Sequence, residues 1–127
     1  MREGTKPGHG GDAAQAVVRR GDIWVLAGPD YLTKPRPVIV LQSDAFCDLD
    51  SVTVCLLTST PPAEPMPLLR VALPGDDVTG LRSESWAEID KVTTARRAKL
   101  GQRIGRASPA HLAQIARLLV VFLGFDD

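Results

Sequence analysis

Arg36 heads an apolar run, Arg36-Pro37-Val38-Ile39-Val40-Leu41-Gln42, and Thr58 with Ser59 closes a second one spanning residues 52–59. If the two runs are neighbouring antiparallel strands, a guanidinium and a hydroxyl meet at one rim of the sheet. A guanidinium suits a phosphate, because its planar fork donates two parallel hydrogen bonds and it stays protonated at every working pH. A threonine or serine hydroxyl beside it can orient a nearby oxygen. By residue type alone, a strand-initial arginine before proline is more often an ordinary surface residue, and both readings stand at this point.

Other chemistries have no foothold in the sequence. It contains neither the glycine-rich phosphate loop of the Walker type nor a Gly-x-Ser-x-Gly nucleophile elbow. Cys47 and Cys55, eight residues apart, with only His9 and His111 elsewhere, give no zinc-ligand spacing. Cys55, flanked by apolar residues, reads as core. His9 lies in a glycine-rich start and His111 in the first turn of a helix, so a two-histidine acid–base mechanism is not expected. No metal or cofactor is expected.

The net charge of zero hides a segregation of signs. Residues 1–90 carry 8 Lys and Arg against 13 Asp and Glu, whereas residues 91–127 carry 7 against 2. Residues 91–106 hold Lys91, Arg96, Arg97, Lys99, Arg103 and Arg106 and no acidic residue. Such a run attracts phosphates or an acidic partner peptide, or it forms a solvated surface loop.

The elements that must position these residues are short. A chain of 127 residues, 44% hydrophobic and 24% charged, accommodates one domain with a real core. No apolar stretch reaches the roughly 18 residues a membrane-spanning helix needs. Residues 1–16 lack the apolar segment of a secretory signal, so a cytoplasmic location with reduced cysteines is expected. Residues 1–18, rich in glycine and without periodicity, read as a flexible leader before a domain spanning 19–127. Strands are expected over 21–27, 36–42, 52–59, 85–93 and 102–105. Pro37 confines its strand's start to an edge or ladder end. The prolines of 61–67 enforce an extended connection ahead of 68–73, Pro74-Gly75-Asp76-Asp77 turns the chain, and 94–100 reads as a compact turn. One helix closes the chain, with Ser108 as N-cap, Pro109 in its first turn and Gly124 just past its end. Leu112, Ile115, Ala116, Leu119 and Leu123 form its apolar stripe. Leu118, Val121 and Phe122 lie off that stripe, so a second buried contact is expected there, as a subunit interface would supply. The fold class is mainly β with a C-terminal helix, a small curved or barrel-like domain.

Five segments in order carry a resemblance: Arg20-Gly21-Asp22-Ile23-Trp24; Arg36-Pro37-Val38-Ile39-Val40-Leu41-Gln42-Ser43-Asp44; Leu56-Leu57-Thr58-Ser59; Gly80-Leu81 with Ser85-Trp86; and Ile104-Gly105-Arg106 leading into the terminal helix. Together, from Arg19 to Phe125, the chain resembles the MazF/PemK family of toxins from type II toxin–antitoxin systems. The resemblance implies an SH3-like barrel of the CcdB/PemK type, a homodimer, and sequence-specific, metal-independent cleavage of single-stranded RNA. It also implies a cognate antitoxin whose acidic C-terminal tail covers the RNA groove. By position, Arg36 matches the family's catalytic arginine and Thr58 its catalytic threonine. Ser59, Asp90 and Lys91 match positions facing the RNA, with Lys34, Arg96 and Arg97 as further cations for the strand. The attack would come from the RNA's own 2′-hydroxyl, leaving a 2′,3′-cyclic phosphate and a 5′-hydroxyl.

The chain departs from the family pattern in two places. The loop over 28–35 lacks the Gly-Ser-Glu that many relatives carry before the arginine, leaving Asp30 as either a replacement base or a turn former. Thr93 stands where relatives often have arginine, so a phosphate contact there would pass to Arg96 or Arg97. Two other functions remain open at this stage. One is a CcdB-like toxin that inhibits DNA gyrase through its C-terminal residues, and the other is an RNA-binding barrel whose chemistry has decayed.

Overall fold

The computed structural model describes residues 17–28, 34–64 and 68–127. Most of the expected leader, the tip of the loop before Arg36 with Asp30, and Pro65 and Pro67 lie outside the described residues. The elements run β1 (Asp22–Leu26), β2 (Arg36–Val40), β3 (Ser51–Thr58), β4 (Arg70–Leu73), β5 (Ser85–Arg96), β6 (Leu100–Arg106) and α1 (Pro109–Leu123). They form one antiparallel sheet in the order β4-β5-β3-β2-β1-β6.

The chain itself curls this sheet into a barrel. β5 leaves the edge of β3 and, through the short 3-10 turn Arg97–Lys99, becomes β6 on the edge of β1. Two backbone bonds fasten the turn: Arg97 N donates to Asp50 O at 2.6 Å and Ala27 N donates to Lys99 O at 3.0 Å. Inside lies one apolar cluster of Val18, Trp24, Val38, Val40, Val52, Val54 and Leu100. Outside, on the opposite face of β1, β2 and β3, lies the second, with Ile23, Ile39, Cys55, Leu57, Val71, Leu73, Ala87, Ile89, Leu112 and Ile115. Alternation along β2 and β3 divides the residues between the two faces, which explains why these strands read as continuous apolar runs. Val18 is part of the barrel interior, so the core begins one residue before the expected domain start.

Three stretches differ from expectation. β5 continues through Thr94 to Arg96 rather than turning at 94, because Thr93 and Thr94 pair with Val54 and Thr53 of β3. Leu100, expected in a turn, opens β6 opposite Leu26 and is fully buried. Midway, β5 bulges: Val92 faces Cys55 and Ala87 faces Leu57, so four residues of β5 stand against Leu56 alone. The bulge lets one strand serve the barrel with its second half and the outer layer with its first.

The helix ends follow the sequence signals. Ser108 Oγ accepts from His111 N at 3.1 Å, Pro109 is the first helical residue, and Gly124 takes the left-handed conformation at φ 75°. Leu112 and Ile115 are buried against the sheet, with Leu118 and Leu119 packed beside them. Leu118 therefore replaces Leu123 on the stripe. The helix outruns the sheet, and Val120, Val121, Phe122, Leu123 and Phe125 are left exposed.

A buried carboxylate ties the first strand to the last. Asp22, 2% exposed, accepts hydrogen bonds from Arg106 at 3.3 Å and from Arg19 N at 3.1 Å and is ion-paired with Arg103, whose Nε lies 3.2 Å away. Cys55 is a core thiol as expected. Burial and the neighbouring Glu88 charge push it up to about 12, with its Sγ donating to Glu88 O at 3.2 Å.

The loop after β4 bridges to β6 and completes the wall. Arg106 N donates to Val78 O at 2.9 Å, and Gly80, at φ 71°, lies against the backbone of Ile104. A Cβ at residue 80 would land on the Ile104 carbonyl, and the positive φ is itself unfavourable for any other residue. Gly80→Ala is expected to lower Tm by more than about 10 °C in thermal unfolding, whereas Ala72→Gly on the exposed edge of β4 should cost only a few degrees.

Candidate active site

The register of β2 on β3 places the two residues singled out by the sequence. Val38 faces Leu56, Ile39 faces Cys55 and Val40 faces Val54, so continuing the ladder sets Arg36 opposite Thr58. Directly opposed residues share a face, with their Cβ atoms about 5 Å apart. The row extends across five strands. Leu26 of β1 pairs with Arg36, Thr58 with Trp86 of β5, and Trp86 with Ala72 of β4. Arg36, Thr58 and Trp86 thus stand side by side at the barrel's mouth.

Arg36 is exposed, and among the described residues no carboxylate pairs with it. With Lys34, Leu26, Leu56 and Thr93 it lines a half-open depression of about 250 Å³. This gives two cations above an apolar floor. Thr58 Oγ1 accepts from Thr60 N at 3.1 Å. That bond occupies a lone pair and leaves the hydroxyl proton to point outward as a donor. A permanent cation and a donor hydroxyl on one face can together hold a phosphodiester oxygen pair.

The other expected residues divide. Ser59, just past the end of β3, lines a larger groove of about 560 Å³ with Pro35, Pro37, Arg82, Ser83, Ser85 and Gln102. Asp90 and Lys91 lie on the β5 bulge. Asp90 is bound to Arg70 at 2.7 Å, while Lys91, 3.8 Å from Asp90, is about half exposed. Arg96 and Arg97 line a separate depression with Asp50 at the closing turn. The Arg97 guanidinium donates to Leu49 O at 3.2 Å. The fold therefore gathers Arg36 and Lys34 in one depression, sets Thr58 across from Arg36 by continuation of the β2–β3 register, and leaves the rest of the set elsewhere.

Two neighbours escaped the sequence reading. Arg70 of β4 bridges Asp90 and, at 3.5 Å, Glu88, so one cation offsets part of the charge of these two acidic residues. Only the pairing of β4 on β5, with Arg70 opposite Glu88, could reveal this. Trp86 is half-buried on the same face as Thr58. Its alternation with buried Ser85 and Ala87 marked a strand but not which face met Thr58. Among the described residues, no group of three or more His, Cys, Asp and Glu side chains could hold a metal ion.

A model of the PemK-like, MazF-like toxins of type II toxin–antitoxin systems matches residues 19–123. A protein of Mycolicibacterium smegmatis named as a probable endoribonuclease MazF is 42% identical over 108 residues, covering 84% of this chain and 97% of that one. Among solved structures, a mycobacterial endoribonuclease in complex with its cognate antitoxin superposes with a TM-score of 0.67 at 24% identity, over 84% of this chain and 94% of that one. A MazE–MazF structure from Deinococcus radiodurans gives 0.69 at 21% identity, over 87% and 99%. At those identities the two structures speak for the fold alone. The mainly β architecture with one terminal helix is the one they share.

Arg70 also sets the acid response of the site. Desolvation raises the Asp90 carboxyl, but the Arg70 hydrogen bond, a backbone bond and the Arg70 and Lys91 charges outweigh it and hold the group below its ordinary 3.8. A carboxylate lowered on folding stabilises the native state above its ordinary pKa, and that contribution is lost as pH falls through the folded value. Arg70→Ala is expected to cost roughly 2 kcal/mol at neutral pH in urea unfolding. It should also flatten the loss of stability as pH falls below the ordinary carboxylate value, relative to the parent.

Proposed function

The chain belongs to the PemK-like, MazF-like toxins of type II toxin–antitoxin systems, and from that premise we propose that it is a sequence-specific, metal-independent endoribonuclease acting on single-stranded RNA. The observation that supports this reading is the register of β2 on β3, Val38 against Leu56, which continued by two residues brings Arg36 across from Thr58. In the reaction the 2′-hydroxyl gives up its proton to solvent water as its oxygen bonds to the adjacent phosphorus. The bond from phosphorus to the 5′-oxygen breaks, and that oxygen takes up a proton delivered across Arg36. The products are a 2′,3′-cyclic phosphate and a 5′-hydroxyl. Arg36 neutralises the charge that builds on the phosphorane oxygens, and Thr58 donates to the phosphate and keeps the attack in line.

Lys34 adds a second cation on the Arg36 side of the rim. Asp90 and Lys91 on the bulge flank the strand's path, Arg96 and Arg97 would grip it at the closing turn, and Ser59 meets it beyond the rim. The working unit is a homodimer, and the exposed apolar end of α1 supports that reading, since Val120, Val121, Phe122, Leu123 and Phe125 find no partner within the fold. The regulator is a cognate antitoxin with an acidic C-terminal tail, complementary to the basic residues of 91–106. No helix among the described residues is long and apolar enough to cross a membrane, and the site of action is the cytoplasm. Inhibition of DNA gyrase by a non-catalytic barrel is not favoured, because the 42% identical relative carries the name of an endoribonuclease.

Incubation of the purified protein with a long single-stranded RNA in EDTA tests the proposal. Cleavage at a short recurring sequence with 5′-hydroxyl ends is expected, and DNA of the same sequence, lacking the 2′-hydroxyl nucleophile, should stay intact. Arg36→Ala is expected to slow cleavage about a hundredfold or more. Intact RNA with the parent, or equal rates with the variant, would overturn the assignment.

A further inference from the structure

Trp86 occupies a position that neither barrel packing nor phosphate chemistry accounts for. It pairs directly with Thr58 across β5 and β3, so its side chain rises from the same face one strand further from Arg36. It is half-buried rather than enclosed, and it belongs to neither apolar cluster. Its strand neighbours are fixed. Ala72, exposed and too small to cover an indole, lies opposite it on β4. Two residues along, the Arg70–Glu88 pair bounds the same face. An aromatic ring is thus held open on a short, rigid stretch of sheet.

We infer that Trp86 is the stacking platform for a nucleobase of the nucleotide whose phosphate is held by Arg36 and Thr58. This inference rests on the ribonuclease reading of that rim and adds to it a specific contact. A phosphate gripped between Arg36 and Thr58 leaves the attached ribose and base to extend along the row. One inter-strand step of about 5 Å separates Thr58 from Trp86 in that direction. A base stacked there fixes the sugar and hence the approach of its 2′-hydroxyl. Stacking of this kind tolerates any base, because each has a π-face, so the platform supplies affinity and alignment rather than sequence choice. On the far side of Arg36, the corresponding position in the row is Leu26, which is aliphatic. The aromatic contact is therefore one-sided and gives the bound strand a direction.

The chain's two tryptophans make the contact observable. Trp24 is 3% exposed inside the barrel and should not sense a ligand at the rim. Tryptophan emission is recorded while the full chain is titrated with a random pool of single-stranded 2′-O-methyl RNA, which cannot be cut. The pool is expected to quench the parent, whereas Trp86→Phe, keeping a ring but only Trp24 as fluorophore, should bind without quenching. In cleavage assays Trp86→Phe should stay within about threefold of the parent. Trp86→Leu should raise KM about tenfold, the low end for one stacked base, with a smaller change in kcat. Quenching that survives in Trp86→Phe, or an unchanged KM in Trp86→Leu with native melting behaviour, would overturn the inference. So would emission that ignores RNA but follows the chain's own concentration, since Trp86 would then be an interface residue. RNA cleavage without quenching sinks the platform and spares the nuclease, and quenching without cleavage does the reverse.

Discussion

The pairing of β2 with β3 is the constraint on which the rest depends. Val38 and Val40 face the barrel interior and Ile39 faces the outer layer, each with almost no exposed surface. Their partners Leu56, Cys55 and Val54 divide in the same way. A slip of one residue would turn every apolar side chain to the wrong face, and a slip of two would leave a buried valine without a partner. With both faces filled, the register has a single solution. The first residue of β2 then meets the last of β3, and the polar pair emerges where the core ends. The rim is thus placed by packing that has no chemical role.

A second consequence of the same architecture is that one strand holds two layers together. The β5 bulge carries it out of the outer sheet, where it pairs with β4, and into the barrel wall, where it continues along β3. The extra residues on the bulge include Asp90 and Lys91, beside the rim. Arg70 pairs with both Glu88 and Asp90 and so offsets part of their negative charge. Closure at the far side depends on glycine. Gly80 and Gly105 let the loop after β4 and the strand β6 approach backbone to backbone, where any side chain would collide.

Much of this was legible in the sequence. Alternation and turn residues locate the strands, Ser108, Pro109 and Gly124 fix the helix to the residue, and the strand-end polarity of Arg36 and Thr58 points to a rim. What escaped is tertiary. The continuation of β5 past Thr93 depends on its pairing with β3, which no local signal carries. Ser59 falls in the bend after β3, and its position in a different groove with Arg82 and Gln102 depends on elements distant in sequence. The burial of Leu118 in place of Leu123 depends on where the sheet ends beneath the helix. Arg70 and Trp86 gain meaning only from the β4–β5–β3 register. A pattern read along the chain sees each strand, whereas the site is built across them.

In the proposed reaction Arg36 and Thr58 hold one phosphodiester, and residues that act as a unit on the same group lose their effects together rather than independently. A double-mutant cycle in single-turnover RNA cleavage tests this most directly, with Arg36→Ala, Thr58→Val and the pair. The account predicts that the double variant cleaves at about the rate of Arg36→Ala alone, because the hydroxyl has little to align once the cation is gone. Losses that multiply in full would contradict it, since Arg36 and Thr58 would then be acting on different parts of the substrate.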